Sequence, residues 1–368
     1  MRIILLVILA LHGLIHIMGF VKSVNPALIE QLHMPVPKVA RIFWLLAAIL
    51  FLVSAVLYFL KTECWWVPAT VAIAVSQVLI VLSWHDARFG TIANLIILLP
   101  VIMGIMSSLP SSYGNVYKAE VKKRLHPGID TTILTDTDIQ VLPDIVQKYL
   151  RYTGAVGKPK VHNVRIVFNG SMKRNMESGW MNITSHQYNF FDQPARFFYI
   201  EAAVFGMPFD GLHLYRGSNA TMQIKVASLF QVVDAKGEKM SHGETVTIFN
   251  DMCLMAPATL IDPRIHWEPV DPLTVKARFT NEPISITALL KFNEKGELVD
   301  FISNDRYYSE NGKTYLDYQW STPVRNYVEF NGRKVPSYGE AVWQTPGGKC
   351  TYARFDLKEI EYNCSEFK

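Results

Sequence analysis

ANLIILLPVIMGIMSSLPSSYGNVYKAEVKKRL, residues 93 to 125, holds the change of character that decides the architecture. Its first half is apolar and uncharged, while its second half carries Lys118, Glu120, Lys122, Lys123 and Arg124. Working back from it to the N-terminus, charges stay sparse and long apolar runs dominate. Working forward, charged residues, Asn and Gly return at ordinary density. The average of 50% hydrophobic and 18% charged residues conceals this split, which lies near Pro110 to Gly114.

Four apolar runs precede the boundary: Ile3 to Phe20, Ile42 to Leu60, Trp65 to Trp84, and Ile92 to Leu109. At about 1.5 Å per residue each has the length for a hydrocarbon core of about 30 Å. Backbone in lipid must satisfy its own hydrogen bonds, so these runs are expected as helices. Lys22 to Arg41, with Pro26, Pro35 and Pro37, breaks the first pair. Trp44, Trp65, Trp66 and Trp84 fall near run ends, where amphipathic rings favour the interface. Arg2 before the first run imitates a signal peptide, but no small-x-small cleavage site follows, so the run is read as retained. Lys and Arg counts leave the side of the second half undecided: including Lys118 to Arg124 places it in the cytoplasm, and excluding them reverses the answer.

Polar residues inside such spans are costly and therefore informative. His12 and His16 stack on one helix face, with Gly13 and Gly19 allowing a close neighbour. Asp86 lies in the polar turn Trp84 to Arg88, and Asn94 and a kinking Pro100 follow. Two readings stand: hydrogen bonding that fixes a bundle, or a site where His12 and His16 ligate metal or haem, relay protons or hold a quinone. Two histidines one turn apart lack the third ligand that would name a metal.

After the boundary the pattern changes period. Leu142 to Thr153 reads as an amphipathic helix with Pro143 in its first turn and Gly154 at its end. Strand-like alternation follows, as in Val164, Ile166 and Phe168, then Val275, Ala277 and Phe279, then Ile284 to Phe292. Turn signals separate the runs: Asn293 to Gly296, Asn311-Gly312, Asn331-Gly332 and Pro346-Gly347-Gly348. Roughly ten or more short strands imply an antiparallel sheet that must curl to hide its edges. One helical insertion, 243 to 256, is stopped by Pro257 and suits a plug or lid on the concave face.

The expected organisation is an α+β membrane protein: a four-helix transmembrane domain at 1–112, a linker at 113–138, and an antiparallel open β-barrel at 139–368 with helices near 142–153 and 243–256. Candidate ligand-lining residues are Met252, Met255, Trp267, Tyr307, Trp320 and Trp343, with Asp251 and Arg264 as polar anchors. Against this stands an ordinary core and ordinary turn pairs, which need no ligand. Glu244, Asn250, Asp262, Asp305, Arg306 and Glu340 complete the polar candidates. No nucleophile elbow, phosphate loop, HExxH or dinucleotide fingerprint occurs in a usable context, so no enzyme class is named. A net charge of +4 without a basic block sets nucleic acid aside. Cys64, Cys253, Cys350 and Cys364 form no CxxC pair, and a strand between the last two would hold them too far apart to join.

The runs LPDIVQKYLRYTG (142–154), FNDMCLMAPATLIDPRIHWEPVD (249–271), LVDFISNDRY (298–307) and VPSYGEAVW (335–343) resemble an uncharacterised family of bacterial polytopic membrane proteins. LHGLIHIMGF (11–20) and DARFGTIANLIILLP (86–100) resemble it too, and the four-span arrangement is similar to DoxX-like bundles. By strand pattern the second half resembles the open barrels of LolA and LolB lipoprotein carriers. The resemblance implies a bacterial inner-membrane protein that handles membrane lipids or another hydrophobic molecule, with no cofactor specified. The competing expectations are a redox or proton-transfer protein built on His12 and His16, and a scaffold with no ligand.

Overall fold

A computed structural model describes residues 2–29, 37–128, 130–204 and 207–368. Pro35, one of the prolines between the first two apolar runs, lies outside them. The chain forms two compact units, Met1–Ser112 and Tyr113–Lys368.

The first unit is helical: α1 (Arg2–Val24), α2 (Ala40–Phe59), α3 (Trp66–Leu82), the single turn α4 (Trp84–Ala87) and α5 (Gly90–Ser108). α1, α2 and the helical stretch beginning at Gly90 are long and apolar enough to cross a membrane. α3 has 17 residues, about 25 Å of rise. It stops short of the expected Trp84 because Ser83 leaves helical geometry, at φ −115° and ψ 35°. The unit is apolar on its outside and holds a polar group within an otherwise apolar interior. Ile42 is 67% exposed and Phe89 70%, whereas His12, His16, Ser76 and Asn94 are buried. That inversion of the usual soluble pattern suits a hydrocarbon solvent. α2 lies close against α1 at Gly19, where a Cβ would sit 2.3 Å from the Trp44 ring.

The second unit begins with α6 (Tyr113–Lys122), α7 (Asp136–Ile139) and α8 (Asp144–Tyr152). α6 and α7 lie within this unit, so the stretch expected as a linker contributes folded elements to it. α7 carries a capping box in which Thr135 and Asp138 bond each other's backbone N–H. α8 buries Ile145, Val146, Tyr149 and Leu150, and Pro143 is its N-cap residue rather than part of its first turn.

The strands are β1 (Asn163–Lys173), β2 (Trp180–Phe190), β3 (Ala195–Val204), β4 (Met207–Arg216), β5 (Asn219–Val226), β6 (Phe230–Lys236), β7 (Ile265–Asp271), β8 (Thr274–Asn281), β9 (Ile284–Phe292), β10 (Leu298–Ser303), β11 (Gln319–Ser321), β12 (Val324–Phe330), β13 (Arg333–Thr345) and β14 (Gly348–Tyr362). They make one antiparallel sheet in the order β6-β5-β4-β3-β2-β1-β14-β13-β11-β10-β9-β8-β7, with β12 on β13. The sheet is open, with β6 and β7 as its edges. Register shifts at Val167/Phe168 and Ala341/Val342 mark bulges, which increase local twist and bend. Gly170 is required where strands crowd, since a Cβ there would sit 2.1 Å from the Arg354 carbonyl oxygen.

α9 (Glu238–Met255) lies between β6 and β7 in sequence and inside the curl in space. It starts at Glu238 rather than Gly243, directly after Gly237, whose φ of 102° ends β6. Gly243 is therefore interior to the helix, where its missing side chain leaves Arg306 Cγ as the nearest neighbour of a built Cβ, at 3.6 Å. Thirteen of its residues are buried, on every side. It packs against β4, β5 and β6 from one half of the sheet and β9, β10 and β13 from the other. The sheet thus wraps the helix, and α9 is core as much as lid.

Candidate functional site

Glu244 and Asp251 are two turns apart on α9 and so project from one face. Opposite them stand inward-facing side chains of β2, β3 and β4, in register: Gln187 pairs with Phe198, Phe198 with His213, and Asn189 with Arg196. Arg196 joins the two carboxylates. Its Nε donates to Asp251 at 2.8 Å, one terminal nitrogen donates to Glu244 at 3.1 Å, and the other to Gln187 Oε1 at 3.1 Å. Asp251 also accepts from Gln187 at 2.7 Å and Asn189 at 3.0 Å. His213 lies 3.5 Å and Arg306 3.9 Å from the second Glu244 oxygen. Glu244 is 1% exposed. Burial would raise its pKa, but Arg196, His213 and Arg306 outweigh that and hold it at about 2.

Arg306 connects this cluster to an aromatic group. It lies 4.5 Å over Trp320 and 5.8 Å from Trp343, and donates to the Tyr352 hydroxyl at 3.0 Å. Trp320 Nε1 donates to the same oxygen at 3.2 Å. Arg306 belongs to a strap, residues 304–318, which runs from β10 toward the β6 edge. There Gly312 lies against Ala235, Asp317 lies 3.8 Å from Lys239, and Lys239 lies 4.7 Å over Tyr307.

Beyond the reach of α9, the inward face continues as a separate apolar cluster. Ile183, Phe198 and Ile200 form its centre, with Met172, Met181, Ala202 and Phe355 around them. Beside it Ser185 Oγ is buried without a hydrogen-bond partner, and His213 Nδ1 faces Glu244 at 3.5 Å.

The expected residues divide. Trp320, Trp343 and Asp251 come together around Arg196, Glu244 and Arg306. Met252 and Met255 lie in the main core, and the Met255 carbonyl accepts from Tyr362 at 2.8 Å. Trp267 is on β7, remote in strand order, and Tyr307 is at the rim against Lys239. Arg264 bonds Asp262 at 2.9 Å and the Phe191 carbonyl at 2.6 Å, closing the entry to β7. Of the other polar candidates, Asn250 donates to Thr322, Asp305 accepts from the Thr287 N–H, and Glu340 accepts from Tyr338 and Thr351. Arg196, His213, Gln187 and Asn189 were not anticipated. For Gln187 and Asn189 the signal was polar residues at alternate positions of HQYN, 186–189; Arg196 and His213 had none.

In the helical unit, His12 Nε2 donates to Asn94 Oδ1 at 2.9 Å. Asn94 Nδ2 donates to Ser76 Oγ and Gln77 Oε1, both at 3.0 Å. Ser76 pairs with His16 Nε2 at 2.9 Å, and His16 Nδ1 donates to the His12 carbonyl at 2.8 Å. Asp86 lies 3.2 Å from His85. Among the described residues no group of three or more His, Cys, Asp or Glu is arranged to hold a metal. The four cysteines are unpaired.

A family model, described as a family of unknown function (DUF6544), matches residues 132–355. No curated protein matches the sequence. Similar solved structures include an outer membrane lipoprotein-sorting protein domain from Vibrio parahaemolyticus, at TM-score 0.32 and 8% identity over 60% of this chain and 91% of that one. A LolA superfamily protein from Nitrosomonas europaea is similar at TM-score 0.32 and 11% identity, covering 59% and 93%. A DUF1329 family protein from Desulfovibrio piger is similar at TM-score 0.27 and 10% identity, covering 63% and 94%.

Proposed function

This chain belongs to DUF6544, a family of unknown function, and from that premise we propose a role read from its own inward face: a membrane-tethered, non-enzymatic binding or carrier protein for a lipid or another hydrophobic molecule. The helical unit serves as a four-span anchor in a bacterial inner membrane, with α3 tilted little or the bilayer locally thinned to suit its length. The observation that carries the reading is the inward face of the second unit. An open sheet carries on that face a buried apolar cluster centred on Phe198 and Ile200 and a compact charged cluster that reaches, through Arg306, the aromatic rings of Trp320 and Trp343. Concave apolar surface with a few convergent polar groups is the usual composition of a small-molecule site.

The test is native mass spectrometry of the full chain purified in detergent, with exchange of a fluorescent lipid analogue measured alongside. Retained lipid that exchanges with the probe is the expected result. Protein that carries no lipid and exchanges none sinks the reading.

The His12, His16, Ser76 and Asn94 network is read as the glue of the bundle, because the ring nitrogens that bond it find partners on neighbouring helices. A haem Soret band, or stoichiometric metal lost in the His12→Ala, His16→Ala double variant, replaces that with the redox reading.

A further inference from the structure

The two open edges of the sheet are built differently. Edge strands that face water are blunted with charge or proline, because an exposed apolar edge recruits other chains. β7 follows that rule with Glu268, Pro269 and Asp271. β6 does not where it leaves the β5–β6 turn, since the run VASLFQVV, residues 226–233, holds neither charge nor proline. Phe230 there is 68% exposed and Val232 56%, and Met207 at the start of β4 is 44% exposed. Phe209 lies opposite Val226 and Val226 opposite Phe230, and Met207 projects from the same face as Phe209, two residues on.

The turn itself is apolar at a cost. Ala227 and Ser228 have φ of 56° and 55°, a region that Gly or Asn enters with little strain and other residues do not. The chain uses Asn331-Gly332 for such a turn between β12 and β13. Here it accepts Ala and Ser, and the Ser228 hydroxyl is donated back to Asp210 at 2.6 Å. With Leu229 completing it, the turn presents no free polar side chain, and strain held in place of a polar turn points to a function for the tip.

The start of α6 meets this same end of the sheet. Lys225 Nζ lies 4.3 Å over the Tyr113 ring, and a Cβ on Gly114 would lie 3.5 Å from the Tyr199 hydroxyl oxygen. Tyr199 donates to Asp210 at 3.2 Å, the carboxylate that also takes Ser228. Consecutive contacts therefore join Tyr113 to the β5–β6 turn. Tyr113 follows Ser108, the last residue of the apolar helix α5, by five residues, a reach of at most about 18 Å.

We propose, resting on the anchor reading above, that the β5–β6 turn with Phe230 and Val232, and Met207 beside it, docks into the lipid surface of the bilayer in which the chain is anchored. A stable protein interface buries roughly 800 Å² a side, and three side chains with one turn fall far short of that. A lipid surface needs no such area once the chain is tethered in it, because the tether supplies the effective concentration. Uncharged aromatic and aliphatic side chains suit the boundary between head groups and acyl chains, at a depth of about 5–10 Å. Docking puts in lipid the exposed end of the row Ile183, Ala202, Phe209, Val226 and Phe230, which begins in the buried cluster of the inward face.

The test places the full chain in dioleoylphosphatidylcholine liposomes, with the exposed Cys64 and half-buried Cys350 changed to Ser. A nitroxide is attached at Phe230→Cys and, as the reference on the other edge, at Val270→Cys. Both replace exposed side chains, so the fold is kept. Electron paramagnetic resonance then reads collisions with oxygen and with a water-soluble nickel chelate. The Phe230 label is expected to meet the chelate roughly tenfold less often than the Val270 label, as a site about 5–10 Å into the bilayer does. Adding Met207→Asp and Val232→Asp is expected to return the Phe230 label to the chelate. Equal collision rates at the two sites, or no response to the added aspartates, overturns this inference and leaves the anchor and binding readings intact. Shielding accompanied by dipolar broadening that vanishes on dilution with unlabelled chain assigns the tip to a second copy and also overturns it. A chain that alkaline carbonate washes off the liposomes overturns the anchor reading and this inference with it.

Discussion

Asp300 shows how one side chain couples the sheet to pH. It lies on β10 at the register shift against β9, with Oδ1 buried and unpartnered. Burial raises its pKa from 3.8 to about 6, and Lys291 and Lys349 offset only part of that. The folded chain therefore holds the Asp300 proton more tightly than the unfolded chain does. The resulting stabilisation is fully present below about pH 4 and is lost as pH rises through about 6. Asp300→Asn removes that dependence. Its thermal midpoint is expected to exceed that of the parent at pH 8 and to match it near pH 4; equal midpoints at pH 8 would show that the carboxylate is solvated after all. Glu244 has the opposite sign: its ionised form is the one the fold stabilises, so that stabilisation is full above about 4.5 and is lost as pH falls towards about 2. At this scale the sequence was partly legible. Asp251 and Arg306 were among the polar candidates, whereas Arg196 and His213, spaced along strands with no local signal, were not.

Among the elements, α9 carries the second unit's organisation. A helix with one apolar stripe lies on a sheet, while a helix buried on every side is enclosed by one. Phe249 illustrates this, stacked on Phe279 of β8 at 5.2 Å and edge-on to Phe301 of β10 at 5.7 Å. It is fully buried. Phe249→Ala is expected to cost about 3–5 kcal/mol, as other large-to-small core changes do, seen as a lower denaturant midpoint. A loss below about 1 kcal/mol, the range of surface substitutions, would mean that the helix is a detachable lid and not core. The turns were the most legible elements. Asn331 and Gly332 have φ of 50° and 74°, the pairing that a tight hairpin requires and that Asn-Gly supplies. Asn311-Gly312 carries the same chemistry within the strap, where it turns the chain between Tyr308 and Leu316, which exchange backbone hydrogen bonds at 2.9 Å in an isolated antiparallel bridge.

At the scale of the whole chain, the two units are surfaced differently: the first exposes many large apolar side chains along its helices, while the second buries most of its large apolar side chains in the core of its sheet. Residues 113–368 expressed without the first unit are expected to fold and stay soluble in water, whereas the full chain partitions into a detergent phase. Circular dichroism melts and phase partition check this, and aggregation of the shorter chain would show that its fold depends on the first unit. By itself, the sequence determined the change of hydropathy near residue 110, the helical character of the apolar runs, and the alternation and turns that make an antiparallel sheet. Hydropathy, period and turn chemistry act between near neighbours and are therefore written locally. Only the tertiary structure decided that α9 is enclosed by the sheet, that α3 ends early, and that Arg196 meets Glu244 across 48 residues and His12 meets Asn94 across 82. Those contacts depend on how bulges and register bend the sheet and on how helices pack side by side, and no short stretch of sequence encodes either.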